Sequence, residues 1–288
     1  MPIAIITGGV SGMGLAVAEA LSARGDWVLH LIDVNSERGL AVEKSVRGAQ
    51  FHKADITSYA SLASVFESVH RKEGRLDFVF ANAGIVERWN FYQKHEGEGP
   101  PPEPDQLSID IDLKSVVSTT YLAQHYFRLS KKSYGTGKQA LVMTSSCGGL
   151  YPSPFCPMYT AAKHGVVGLT RAVAKHFYFK DKIRVSCICP GTVRTNLLDE
   201  AGWSQFPDTY FTKVEKIVEV VLMLVDGGKM EDSKGVVKNE GQDWSLTVEV
   251  NGTNHYFREQ PGWCDKNMEE LMVATDVPDT GANKVFSS

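Results

Sequence analysis

Short, β-rich apolar runs alternate with amphipathic helical stretches along this 288-residue chain, and that rhythm constrains its fold more than any other feature. The strand-like runs are Ile3–Thr7, Trp27–Asp33, Gln50–Ala54, Phe78–Ala81, Ala140–Ser145, Ile183–Ile188 and Ser245–Val250. Helical stretches lie between them at Gly12–Arg24, Ser36–Val46, Ser58–Lys72, Ser108–Leu129, Met158–Tyr178 and Lys213–Leu224. Strands joined through helices require βαβ crossovers, which produce a parallel sheet covered on both faces. The expected architecture is therefore α/β, a doubly wound parallel sheet of seven strands in a single domain over residues 1–288. Two segments break the rhythm. Glu87–Gln106 is polar and rich in Gly and Pro, and reads as a surface insertion. Asp226–Asp243 is charged and reads as a second exposed excursion before the last strand.

The first strand runs into Thr7-Gly8-Gly9-Val10-Ser11-Gly12-Met13-Gly14, which opens the first helix. Glycines there allow a tight turn and close approach of backbone to a pyrophosphate. The helix N-terminus adds free N–H groups and the positive end of its dipole. A glycine-rich string is weak evidence by itself; its place between strand and helix marks a Rossmann-type dinucleotide site. Asp33 ends the second strand about 20 residues later, where a carboxylate accepts both adenosine ribose hydroxyls and repels a 2′-phosphate. The turn holds no Arg or Lys, and the first basic residue after Asp33 is Arg38. NAD is thus expected rather than NADP, held by Gly8, Ser11, Gly12, Met13, Gly14, Asp33 and Val34.

Tyr159 and Lys163 stand four positions apart in a helical stretch, so both project from one face. A free tyrosine has a pKa of about 10 and is a poor base at neutral pH. A fixed cation beside it stabilises the phenolate. Lowering the value by roughly three units needs about 4 kcal/mol of differential stabilisation. The spacing alone is common and fits a solvated helix equally well. Thirteen residues before Tyr159, Ser146 sits at the end of the strand through Leu141–Ser145.

Taken together, these residues resemble the short-chain dehydrogenase/reductase family. The likeness is carried by the Thr7–Gly14 turn, Asn82-Ala83-Gly84, Ser145-Ser146, Tyr159–Lys163 and Pro190-Gly191-Thr192-Val193-Arg194-Thr195, which fall in the family's order. Pro157–Thr170 is similar to the 15-hydroxyprostaglandin dehydrogenase-like branch. The resemblance implies an NAD-dependent oxidoreductase that interconverts a secondary alcohol and a ketone. Tyr159 would be the base in oxidation and the acid in reduction. Ser146 would hydrogen-bond the substrate oxygen, with Ser145 the alternative; the thirteen-residue spacing matches the family for Ser146. Lys163 would lower the tyrosine pKa and bind the nicotinamide ribose. Asp55 and Ile56 would border the adenine, Asn82, Ala83 and Gly84 would line the cofactor cleft, and Val193 and Thr195 would hold the nicotinamide carboxamide. One position departs from the pattern. Asp112 stands where the family has an asparagine that holds a relay water, and its charge could draw Lys163 into an ion pair. An NAD(P)H-dependent carbonyl reductase is a neighbouring reading, and a non-catalytic dinucleotide sensor is a third.

Substrate selection is expected from the loops beyond the strand ends, which carry Trp89, Tyr151, Phe155, Met158, Trp203 and Phe206, with residues 195–212 as the substrate loop. Such a set suits an apolar or aromatic metabolite. A net charge of −4 argues against affinity for nucleic acid. No apolar stretch is long enough to span a bilayer, and no export signal is evident, so a cytoplasmic protein is expected. The five cysteines, an odd number without framework spacing, are expected as thiols. Cys187 and Cys189 alternate along a strand, and no metal site is expected. The sequon Asn251-Gly252-Thr253 is expected to stay unmodified. The helices around Ser108–Leu129 and after Tyr159 resemble the family's subunit interface, so a homodimer or homotetramer is expected.

Overall fold

The computed structural model describes residues 1–134, 139–197 and 200–275. The chain begins with β1 (Ile3–Thr7), α1 (Gly12–Ala23), β2 (Val28–Asp33), α2 (Ser36–Ser45), β3 (Ala49–Lys53), α3 (Tyr59–Glu73) and β4 (Phe78–Ala81). A long irregular passage leads to a short helix, α4 (Leu107–Ile109), a π-helical turn over Asp110–Lys114, and α5 (Ser115–Tyr134). There follow β5 (Ala140–Thr144), α6 (Pro157–Asp181), β6 (Arg184–Pro190), α7 (Glu200–Trp203) and α8 (Val214–Asp226). The chain continues through β7 (Met230–Glu231), β8 (Val237–Lys238), β9 (Thr247–Asn251), β10 (Asn254–Phe257) and α9 (Lys266–Ala274). No helix among the described residues is long and apolar enough to cross a membrane.

The main sheet runs β10-β9-β6-β5-β4-β1-β2-β3. Every pairing in it is parallel except β9 with β10. Parallel strands covered on both faces lose the polar alternation of half-exposed ones, which is why Ile3–Thr7 is apolar and buried at nearly every step. Ile3 and Ile5 pack on one side with Phe66 of α3 and Phe127 of α5. Ala4 and Ile6 pack on the other with Leu21 of α1 and Val221 of α8. Each such large side chain contributes about 1.5–3 kcal/mol on burial.

Three expectations need correcting. The sheet has eight strands among the described residues, not seven. The extra one, β10, folds back antiparallel on β9 through Gly252 at φ +60°, so Asn251-Gly252 is a hairpin turn as well as a sequon. The region 226–243 is more than an exposed excursion, because β7 and β8 pair within it. There the buried Asp232 carboxylate accepts N–H bonds from Lys234, Val236 and Phe257, at 2.8, 2.9 and 3.0 Å. Asp243, also buried, accepts from Gly228 N at 2.9 Å. Finally, the helix read at Ser108–Leu129 contains the π-helical turn that carries Asp112, a feature associated with functional sites. Residues 87–106 hold no helix or strand.

Candidate active site

The carboxyl ends of β1, β2, β4, β5 and β6 open into one cleft of about 510 Å³. It lies where the sheet order reverses between β1 and β4, the position at which open α/β sheets bind ligands. Thr7 joins the two walls: its Oγ1 accepts from Asn82 N at 3.0 Å and Ala83 N at 3.1 Å. The Asn82 side chain is used by the protein itself, since its amide donates to Thr7 O at 3.3 Å and its Oδ1 accepts from Thr144 Oγ1 at 3.2 Å.

Gly8, Ser11, Gly12, Met13, Asp33, Val34, Asp55, Ile56, Asn82, Ala83, Gly84, Ser146, Tyr159, Lys163, Val193 and Thr195 all line this cleft. Gly14 does not line it. It packs behind the turn, where a Cβ would collide with the Gly8 carbonyl and lie 2.7 Å from Asn82 Nδ2. Helix α1 begins beside the cleft with no side-chain cap from Ser11, so its first N–H groups remain available to an anion. Asp55 accepts from Thr57 N and Oγ1 at 2.9 and 2.7 Å, which fixes its orientation.

Helix α6 presents Tyr159 and Lys163 on the same face, with Lys163 Nζ 5.4 Å from the Tyr159 ring centroid. Ser145 is committed to holding that helix on β5, because its Oγ donates to Lys163 O at 2.8 Å. Ser146 has a freer hydroxyl that accepts from Gly148 N at 3.1 Å. Burial raises the Tyr159 phenol well above its ordinary value; hydrogen bonding with Ser146 opposes the rise and the charge of Asp112 adds to it. The lowering expected from Lys163 is thus outweighed in the protein alone. Burial is the first cause of that outcome, and the ammonium also has other partners. Lys163 Nζ donates to Thr144 O at 3.1 Å and lies 3.6 Å from Asp112 Oδ1.

Asp112 is fully buried and stands behind the cleft rather than in its lining. Its Oδ1 also accepts from Ile85 N at 2.9 Å, while Oδ2 is a buried acceptor without a protein partner. Burial pushes its carboxyl above the usual range, against the pull of Lys163 and the Ile85 N–H. Gly84 makes room for this arrangement. A Cβ there would lie 2.7 Å from Asp112 Oδ1 and 3.3 Å from Lys163 Nζ.

Of the six aromatic and Met side chains expected around the substrate, only Trp203 and Phe206 line the cleft. Tyr151 turns away to donate its hydroxyl to Glu249 Oε2 at 3.2 Å, Phe155 points to solvent at 95% exposure, and Met158 is buried in α6. Trp203 reaches the cleft because its indole Nε1 donates to Thr195 O at 2.9 Å. Lining residues that sequence reading did not single out include Ile85, Val86, Arg88, Ile111 and Cys147, and Leu197 lies within the expected 195–212 loop. Ile85, Val86 and Arg88 follow the recognised Asn82–Gly84 segment and Cys147 follows Ser146, and the aliphatic ones look like ordinary core. No group of side chains suited to a metal ion occurs among the described residues.

The profile of the short chain dehydrogenase family matches residues 2–206. The chain is 50% identical over 276 residues to the short-chain dehydrogenase/reductase prx7 of Penicillium rubens, covering 92% of this chain and 96% of that protein. It is 33% identical over 226 residues to human 15-hydroxyprostaglandin dehydrogenase [NAD(+)], covering 76% of this chain and 78% of that one. Among solved structures, a 3-ketoacyl-(acyl-carrier-protein) reductase from Brucella melitensis complexed with NADH superimposes with a TM-score of 0.69 at 22% identity, over 87% of this chain and 97% of that one. Levodione reductase gives a TM-score of 0.68 at 26% identity, over 87% and 96%.

Proposed function

Because the chain belongs to the short-chain dehydrogenase family, we propose that it interconverts a secondary alcohol and a ketone with NAD, on a small apolar or aromatic metabolite. The observation that carries this reading is the meeting of Ser146, Tyr159 and Lys163 in one cleft beside the uncapped start of α1. That cleft suits the dinucleotide: the α1 N–H groups face an anion's position, and Asp33 offers a carboxylate at the end of β2. Gly8, Ser11, Gly12, Met13, Asp33, Val34, Asp55, Ile56, Ala83, Gly84, Lys163, Val193 and Thr195 would hold it, with Gly14 and Asn82 shaping the turn. NAD, when bound, supplies the hydride acceptor and a positively charged ring.

Ser146 orients the substrate oxygen, and Tyr159 takes the hydroxyl proton in oxidation or returns it in reduction. Lys163 biases the phenol toward phenolate, and Asp112 tempers that bias through its ion pair. The side chains of Ile85, Val86, Ile111, Leu197, Trp203 and Phe206 exclude water from the far end of the cleft. A reductase acting with NADH or NADPH is the second reading, since the same Ser146, Tyr159 and Lys163 set serves the reverse reaction. Val117 and Tyr121, exposed at 45% and 65% on α5, fit a homo-oligomer. The five cysteines are free thiols, which fits a cytoplasmic setting.

A turnover screen of hydroxy lipids, steroids and aromatic alcohols with NAD, and of the matching ketones with NADH and NADPH, tests the reading. Tyr159→Phe should lower turnover of any hit at least a thousandfold while NADH still binds. NADH binding without turnover across the panel would favour the sensor reading, and full activity in Tyr159→Phe would remove the mechanism.

A further inference from the structure

The geometry points to Glu87 as a positioning residue for Tyr159, through which the insertion at 87–106 is tied to the catalytic helix. This inference rests on the proposed role of Tyr159. Helix α6 starts at Pro157, and its N-cap residue Cys156 makes no side-chain capping bond. The first N–H groups of a helix lack intrahelical acceptors and need one from elsewhere. Glu87 supplies it from the opposite wall: its Oε2 accepts from Met158 N at 2.8 Å and from Tyr159 N at 3.0 Å. The acceptor is therefore bonded to the backbone of the tyrosine itself, across 72 residues of sequence.

The bond also fixes its own loop. Ile85 N is held by Asp112 Oδ1 at 2.9 Å, so residues 85–87 are clamped between the residue that pairs with Lys163 and the backbone of Met158 and Tyr159. Arg88, the next residue, lines the cleft. A carboxylate is suited to this place because a charge-assisted acceptor bonds more strongly than a neutral one and faces the positive end of the helix dipole. A solvent-exposed cap from Cys156 or Ser153 would fix the helix but not its relation to the substrate wall. Displacement of the first turn of α6 moves the Tyr159 hydroxyl relative to Ser146, and small misplacements of a proton-transfer group lower rate steeply.

Hydrogen exchange and kinetics on the full-length protein with NADH test the assignment. In Glu87→Ala, the peptide covering residues 157–163 should exchange at least tenfold faster, with the α1 peptide over 12–23 unchanged. With an alcohol that the wild type oxidises, kcat should fall tenfold or more while KM for NAD stays within twofold. Glu87→Gln keeps an acceptor and should bring both readings back to within about threefold of wild type. If Glu87→Ala does not fold, Glu87→Asp, one methylene too short to span both N–H groups, should show the same changes in smaller degree. Unchanged exchange in the first turn, or unchanged kcat despite faster exchange, overturns the assignment. If the panel yields no substrate, the exchange reading decides: faster first-turn exchange in Glu87→Ala that Glu87→Gln brings back supports the assignment, and unchanged exchange overturns it. Absence of turnover in the wild type would count against the proposed activity, whereas the exchange reading bears on Glu87.

Discussion

Asp112 Oδ1 lies 3.6 Å from Lys163 Nζ, and both side chains are buried. A carboxylate so placed holds the ammonium in position and also subtracts from its field at Tyr159, since its charge raises the phenol's pKa. A buried pair of this kind is strongly coupled because little water screens it.

Asp112→Asn should therefore free Lys163 to act on Tyr159 more strongly. The amide oxygen can still accept from Ile85 N, so the local fold is kept. With the negative charge gone, the Tyr159 pKa falls, and the acid limb of kcat for alcohol oxidation should move to lower pH by about one unit. A pH profile identical to wild type would show that the pair does not tune the phenol.

Asp33 is expected to set cofactor preference. Replacing it with Ala removes the carboxylate that would bond the ribose and repel a 2′-phosphate. The ratio of kcat/KM for NAD over NADP should drop by about 100-fold, a change of about 2.7 kcal/mol. Cofactor kinetics decide it, and a wild type that already prefers NADP would remove the premise.

Gly84→Ala should strike the Asp112–Lys163 pair directly. The added Cβ would sit 2.7 Å from Asp112 Oδ1, which cannot move freely because it is buried and bonded to Ile85 N. NADH affinity and kcat should both fall, by tenfold or more, with the far-UV circular dichroism spectrum retained. Wild-type values for both would mean that Gly84 is replaceable.

His30 is expected to make the fold acid-sensitive. It is fully buried, with Nδ1 2.8 Å from His52 Nε2, and burial followed by the His52 charge brings its pKa from 6.5 down to about 3. The unfolded chain takes up a proton below pH 6.5 that the folded protein refuses until about pH 3. Stability should thus be complete above that upper value and decline as pH falls through the window, by up to about 1.4 kcal/mol per pH unit from this site. His52, His70 and His255 are shifted the same way by burial. His30→Gln should flatten the decline between pH 6 and 4 in urea titrations; an undiminished slope would assign it elsewhere.

The central strands were legible because they are buried on both faces, so burial writes them as apolar runs such as Phe78–Ala81. β10 was not, since Asn254–Phe257 buries only His255 and offers no periodic signal. The glycine turn was readable wherever backbone geometry demanded a residue type, as at Gly8 and Gly14. The substrate wall was less readable. Trp203 enters the cleft and Phe155 leaves it, and nothing local to either residue separates them. Glu87 was invisible for a related reason: the N–H groups that donate to its Oε2 lie 71 and 72 positions away, so in sequence it is only the first residue of a polar loop.

The bonds from Thr7 Oγ1 to Asn82 and Ala83 join chain segments 75 and 76 residues apart. Contacts so distant in sequence form late, after the entropy of closing the intervening loop has been overcome. The cleft therefore exists only when β4 has docked beside β1. A nascent or partly unfolded chain would possess the glycine turn but no binding site, and dinucleotide would stabilise only molecules whose sheet has closed. Occupancy by a dinucleotide would then report a closed sheet, and the stability it adds would rise with dinucleotide concentration.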